Sequence, residues 1–223
     1  QSSEEILESN AYASLQDEDV ALSAIRPFRT PHHTSSRPSI FGGGSHESKA
    51  GEIALAHNGL LFFDEFPNFS KTVLESLREP LEDHRVLISR VNTKVSYATK
   101  FLFAAAQNPC PCGNMLSQTH ECRCSPVEIE RYKNRISEPI LDRIDLYIQM
   151  SEETSKDKGL SSRDMFEQVL RAFRQQKERG QEELNGKLNE AQTMQYCLLD
   201  DEATHSFEMA QERFHLSQRS VHK

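Results

Sequence analysis

Runs and alternations of apolar residues divide this chain into recognisable pieces. Leu60-Leu61-Phe62-Phe63 and Phe101-Leu102-Phe103-Ala104-Ala105-Ala106 are continuous apolar runs of strand length. They predict two strands buried on both faces of a parallel sheet. Val73, Leu74, Leu77 and Leu81 recur at helical spacing behind Ser70, a residue suited to cap a helix. Pro80 is expected to kink or end that helix. Val86 and Ile88, then Val95 and Tyr97, alternate with polar neighbours, which predicts a hairpin over 85–97 with Arg90 and Lys94 near its tip.

Shorter signals fill the gaps. Ser2-Ser3-Glu4-Glu5 reads as a capping box opening a short helix, with a second helical start expected over Asp17–Ile25. Two prolines break Arg26–Thr34 into an extended segment, and the Ser-, Gly- and Pro-rich stretch Ser35–Ser48 reads as a mobile loop. Gly51–His57 is expected to form a short helix or turn, followed by a turn at Asn58-Gly59. Ser125-Pro126-Val127-Glu128 combines an N-cap, a proline at the first helical position and a capping-box glutamate. That helix runs toward Ser137, and a third strand is expected over Asp145–Met150.

Beyond Met150 the pattern changes. A charged linker at 151–160 leads into helical segments at 161–179, 182–199 and 200–215, with Gly180 stopping the first and another helix starting at Leu216. The expected organisation is an α/β domain over 1–150, the linker, and a small all-α domain over 161–223.

Composition narrows the class. A chain of 223 residues with 36% hydrophobic residues accommodates one α/β core and a smaller domain. The net charge of −8 argues against a surface that binds DNA or membrane throughout, while permitting a local basic element. No apolar run approaches the roughly 20 residues of a membrane span, so no membrane association is expected. Five cysteines without an export signal point to a reducing, cytoplasmic setting. Cys197 stands apart in an apolar stretch and reads as a small buried side chain.

Chemistry concentrates at the ends of the two apolar runs. Asp64 and Glu65 follow the first, at the carboxyl edge where open α/β sheets place their ligands. Asp64 either caps the following helix or serves as a ligand of Mg²⁺, with Glu65 then orienting an attacking water. Asn108 ends the second run, either starting an Asn-Pro turn or hydrogen-bonding a phosphate or the attacking water. Cys110, Cys112, Cys122 and Cys124 fall within fifteen residues. They read either as a tetrahedral Zn²⁺ site with unusually tight spacing or as a loop of reduced thiols. His32 and His33 are adjacent, and neighbours on a strand point to opposite faces, so a shared metal is disfavoured. Arg143, between Asp142 and Ile144, is held by packing in a way that suits an arginine reaching another subunit.

Several of these pieces, in order, resemble one family. Arg26-Pro-Phe-Arg-Thr-Pro-His-His-Thr, Gly42-Gly43-Gly44-Ser45, Gly51-Glu52-Ile53, Asp64-Glu65, Leu77-Arg78-Glu79-Pro80-Leu81-Glu82, Asn108-Pro-Cys-Pro-Cys-Gly and Leu141-Asp142-Arg143-Ile144-Asp145 look like motifs of the magnesium-chelatase-like AAA+ ATPases, within them the competence-protein group. A more distant likeness to replicative MCM helicases appears at Arg78-Glu79 and Leu141–Asp145. The resemblance implies a three-layer α/β/α sheet of P-loop type followed by a helical lid. It implies ATP and Mg²⁺ as cofactors, Asp64 and Glu65 as the Walker B pair and Asn108 as sensor 1. Arg143 becomes an arginine finger, Arg219 a lid residue contacting the γ-phosphate, and the hairpin with Arg90 and Lys94 a pore element facing DNA. A hexameric homo-oligomer acting as a helicase or branch-migration motor in natural transformation follows, with a metal-insertase ATPase subunit or a zinc-binding interaction module as alternatives.

One departure bears on activity. No G-x-x-x-x-G-K-[ST] occurs in these residues. The family carries that P-loop upstream, so the resemblance implies a carboxy-terminal portion of a longer protein, inactive alone and prone to self-association through an incomplete sheet.

Overall fold

The computed structural model describes residues 2–15, 21–43, 49–89, 94–150, 159–181, 184–216 and 221. Two compact units are present, Gln1–Glu152 and Glu153–Lys223. In chain order the first contains α1 (Ser3–Ser14), β1 (Phe28–Arg29), α2 (Arg37–Phe41), β2 (Gly42–Gly43), β3 (Lys49–Ala50), α3 (Glu52–Leu55) and β4 (Leu60–Phe63). Then follow α4 (Lys71–Ser76), α5 (Arg78–Glu82), β5 (Arg85–Ser89), β6 (Lys94–Ala98), β7 (Leu102–Ala105), α6 (Pro126–Lys133) and α7 (Glu138–Leu141). The second unit contains α8 (Ser162–Glu178), α9 (Glu190–Tyr196) and α10 (Asp201–Phe214). The protein is therefore α/β, with a carboxy-terminal helical region.

The central sheet has strand order β1-β4-β7, all parallel. Its hydrophobic run forms a strand because alternate residues reach a core: Leu61 and Phe63 are fully buried. Phe63 stacks on Phe69 at a ring distance of 4.2 Å and meets Phe66 and Phe103 edge-on. Leu60 and Phe62 on the other face are only partly buried. The two-faced burial expected of β4 is thus corrected to one face, because the core residues of α2, α3 and α4 gather on the Leu61–Phe63 side. β7 departs further: Leu102 is 70% exposed, and among the described residues β7 pairs with β4 alone. An edge strand cannot be buried all round.

Local signals account for most remaining elements. Ser2 and Glu5 form the capping box of α1, and Ser70 caps α4 through the Val73 amide. The helix behind Ser70 breaks at Leu77, and Pro80 sits inside α5. A proline has no amide to bond back one turn, so the break precedes it. β5 and β6 form the expected antiparallel hairpin, Arg85 opposite Ala98 and Ser89 opposite Lys94. Ser125 and Glu128 close the capping box of α6. Asn58 turns the chain in the left-handed region at φ 59°, and Gly59 cannot carry a side chain because the Pro27 carbonyl fills that space.

Four expectations are overturned. The composition-based loop at Ser35–Ser48 instead contains α2, capped by Ser36, and β2 paired antiparallel with β3; residues 44–48 lie outside the described residues. Proline at the second helical position fits a first turn, so Pro38 starts α2 rather than breaking it. Asp145–Met150 forms no strand; Leu146, Ile148 and Met150 are 80–81% exposed and no described strand lies alongside to accept their amides. Ala21–Ile25 is irregular where a helix was expected, and 16–20 lie outside the described residues. Cys197 is partly rather than fully buried. The linker residues 151–158 and, apart from Val221, the residues of the helix expected after Leu216 also lie outside the described residues.

α1 locks onto the turn that feeds β4. Ser9 Oγ donates to the His57 carbonyl, Asn58 donates to Glu8, and the Ala98 amide donates to Tyr12 Oη. His57 is buried with its Nδ1 accepting from the Lys100 amide at 3.1 Å, which leaves Nε2 to donate to Glu8. Arg29 of β1 clasps Glu52 of α3 with two nitrogens, at 2.6 and 2.8 Å.

Candidate functional site

The site begins with strand register. Phe63 pairs with Ala105, and the Phe66 amide donates to the Ala106 carbonyl at 2.9 Å, so pairing runs past Asp64 and Glu65. Both carboxylates therefore lie at the same sheet edge as Gln107 and Asn108. Asp64 and Glu65 are exposed, and the Glu65 amide donates to Asp64 Oδ1 at 2.8 Å. Glu65 adopts the left-handed conformation at φ 51°, a costly backbone state for a residue with a side chain. That turn sends its carboxylate toward His33, whose Nδ1 lies 3.1 Å from Glu65 Oε2, and toward the Asn68 amide nitrogen at 3.2 Å.

His33 was legible only as half of a histidine pair. The two rings do not point to opposite faces as a strand would require; their centroids lie 4.2 Å apart. The chain turns here, with the Ser35 amide donating to the His32 carbonyl, so side chains of neighbours come together. Asn68 and Tyr132 gave no signal in the sequence. The Tyr132 phenol is pushed up chiefly by burial, with the Asn108 backbone amide opposing the rise and the Glu65 charge and Cys110 adding to it. Glu65, Asn108, Tyr132 and Cys110 thus share one neighbourhood.

Arg143 is placed by α7 and is only 10% exposed. It ion-pairs with Glu82 of α5 and donates to the Pro139 carbonyl. Its partner Glu82 was not foreseen. Lys94 is exposed at the start of β6, while Arg90 and Arg219 lie outside the described residues.

The four clustered cysteines converge. Cys110 is buried and Cys112 exposed, and all four sulfurs lie within 4.8 Å of one another. Packed thiols cannot all ionise together, so the cluster splits. Asn114 and Arg123 backbone amides bring Cys112 down to about 6. Burial and its sulfur neighbours push Cys124 up to about 12. A four-sulfur group of this size could hold a metal ion.

Comparison with known proteins gives the family of the chain. Residues 1–158 match the family described as magnesium chelatase, subunit ChlI, and residues 159–223 match its ChlI C-terminal region. The chain belongs to this magnesium-chelatase family, whose members are of AAA+ ATPase type. It is 42% identical over 204 residues to competence protein ComM of Haemophilus influenzae, covering 89% of this chain and 39% of that protein. It is 40% identical over 208 residues to YifB of Salmonella typhimurium, covering 89% of this chain and 40% of that protein. A YifB protein of Escherichia coli is 40% identical over 209 residues, covering 90% and 40%. The chain thus spans about two fifths of the length of the curated relatives it matches. No described helix is long and apolar enough to cross a membrane.

Proposed function

We propose that this chain supplies the hydrolytic edge and lid of an ATP-driven ring motor acting on DNA. The observation that carries the reading is the in-register pairing of β4 with β7, which sets Asp64, Glu65 and Asn108 at one sheet edge. The donor set fits half of a nucleotide site. Two exposed carboxylates suit a hydrated Mg²⁺, whereas no P-loop in these residues cradles phosphates. Asp64 would hold the ion through water, and the ion when bound neutralises charge on the phosphates. Glu65 orients the attacking water, and Asn108 hydrogen-bonds that water or the phosphate. Glu65 reaches this role by leaving His33 and Asn68, its partners here.

Arg143 serves as the arginine finger of a neighbouring subunit once Glu82 releases it, and Arg219 contacts the γ-phosphate from the lid. Arg90 and Lys94 line a hexameric pore that contacts DNA, consistent with an acidic chain whose basic residues are needed only there. The name of the Haemophilus relative favours competence, hence natural transformation in the cytoplasm. The family description equally names magnesium chelatase, so an ATPase subunit of a metal insertase is the second reading. Strand displacement against metal insertion, assayed with the full-length protein, separates them.

The chain alone is expected to show negligible ATP hydrolysis, measured as phosphate release. Turnover comparable to a full-length relative, abolished by Glu65→Gln, would overturn this. The open edge of β7 is expected to pair between copies, so the mass measured by light scattering rises with concentration; a constant monomer mass contradicts it.

A further inference from the structure

We propose that Cys110, Cys112, Cys122 and Cys124 bind one Zn²⁺ in a closed four-sulfur site, and that the ion fixes the loop presenting Asn108. Three sulfur separations define the cluster: Cys110–Cys112 at 3.4 Å, Cys110–Cys122 at 3.7 Å and Cys112–Cys122 at 3.7 Å. A tetrahedron with Zn–S bonds of about 2.3 Å has sulfur–sulfur edges of about 3.8 Å. Disulfide sulfurs would lie at about 2.05 Å, so the spacing is that of ligands rather than of a bridge.

A second observation concerns the fourth sulfur. All four sulfurs, that of Cys124 included, lie within 4.8 Å of one another, so a single ion can reach each of them. An all-sulfur donor set selects a soft cation over Mg²⁺ or Ca²⁺. Each thiol surrenders its proton on coordination, and no redox change is involved.

The loop needs such a clip. Between Asn108 and α6 the regular structure is one 3-10 turn at Asn114–Leu116, and the buried apolar residue of the stretch is Cys110. Gly113, at φ 80°, brings the chain back so that a Cβ there would lie 4.0 Å from Asn108 Cγ. Fixing the sulfurs therefore fixes Asn108, which stands two residues before the first of them. The metal assignment stands alone; its bearing on hydrolysis rests on the reading of Asn108 given above.

Elemental analysis of the chain purified under reducing conditions with zinc present is expected to find one zinc per chain. Cobalt(II) put in its place should give the visible absorption of tetrahedral thiolate coordination. Cys122→Ser and Cys124→Ser should each lose the ion while circular dichroism reports a folded chain. Stripping the ion with a chelator should speed hydrogen exchange at amides 108–124 by about tenfold, leaving those of Leu61 and Phe63 unchanged. A folded, metal-free chain with four freely titrating thiols overturns the site, and bound iron overturns the choice of zinc. Bound zinc whose removal leaves exchange at 108–124 unchanged overturns the positioning of Asn108. Failure of the nucleotide reading would leave all of these measurements as expected, so the two can fail separately.

Discussion

The two units of this protein are stabilised in different ways. Among the described residues, every buried hydrophobic lies between Ile40 and Ile140, in the α/β unit. The helices α8, α9 and α10 have no buried residue, and α8 exposes Met165, Phe166, Val169 and Phe173 along one face. What the helical unit does have is caps: Ser161 with Asp164, Asn189 with Gln192, and Asp200 with the Ala203 amide. A core enforces one arrangement through many contacts, whereas a cap fixes where a helix starts and little else. The candidate site residues at the end of the sheet are accordingly fixed by strand register.

Truncation tests this contrast most severely. Phe63→Ala removes a fully buried ring from the Phe66–Phe69–Phe103 cluster and should cost about 3–5 kcal/mol in denaturant unfolding. Phe166→Ala, at a side chain 60% exposed, should change stability by no more than about 0.5 kcal/mol. Equal effects would erase the distinction between the units.

A smaller effect follows from pH. Burial lowers His57 below its ordinary value, consistent with Nδ1 being committed as an acceptor from the Lys100 amide. The fold therefore favours the neutral ring, and the unfolded chain binds more protons below about pH 6.5. Stability should be full above that point and decline as pH falls toward the lowered value. Glu8, lowered chiefly by its hydrogen bonds to Asn58 and His57, is mostly exposed and adds a weaker loss at lower pH. Melting midpoints of the α/β unit should drop between pH 7 and pH 5, and His57→Asn should flatten that slope. An unchanged slope in the variant would remove His57 from the account.

The sequence was most legible where one local signal sufficed. Capping residues placed α1, α4, α6 and α8, and alternation placed the β5–β6 hairpin, because these depend on neighbours a few residues away. It was least legible where an element depends on a distant partner. Phe28-Arg29 read as extended but became a strand because Leu60 and Leu61 lie beside it. Asp145–Met150 had the apolar content of a strand, yet none of the described strands lies beside it. The site followed the same division. Asp64, Glu65 and Asn108 could be placed from two apolar runs, since parallel strands end at a common edge. His33, Tyr132 and Glu82 touch that site or Arg143 only through turns and helix packing, which no spacing in the chain encodes.

The central claim is that Asp64, Glu65 and Asn108 form the hydrolytic edge of a nucleotide site. Its most direct test is steady-state ATP hydrolysis by a protein in which a P-loop segment precedes this chain, compared with its Glu65→Gln variant. Loss of the water-orienting carboxylate should reduce turnover by at least about 100-fold while nucleotide binding persists. Hydrolysis by Glu65→Gln at the unsubstituted rate would contradict the account.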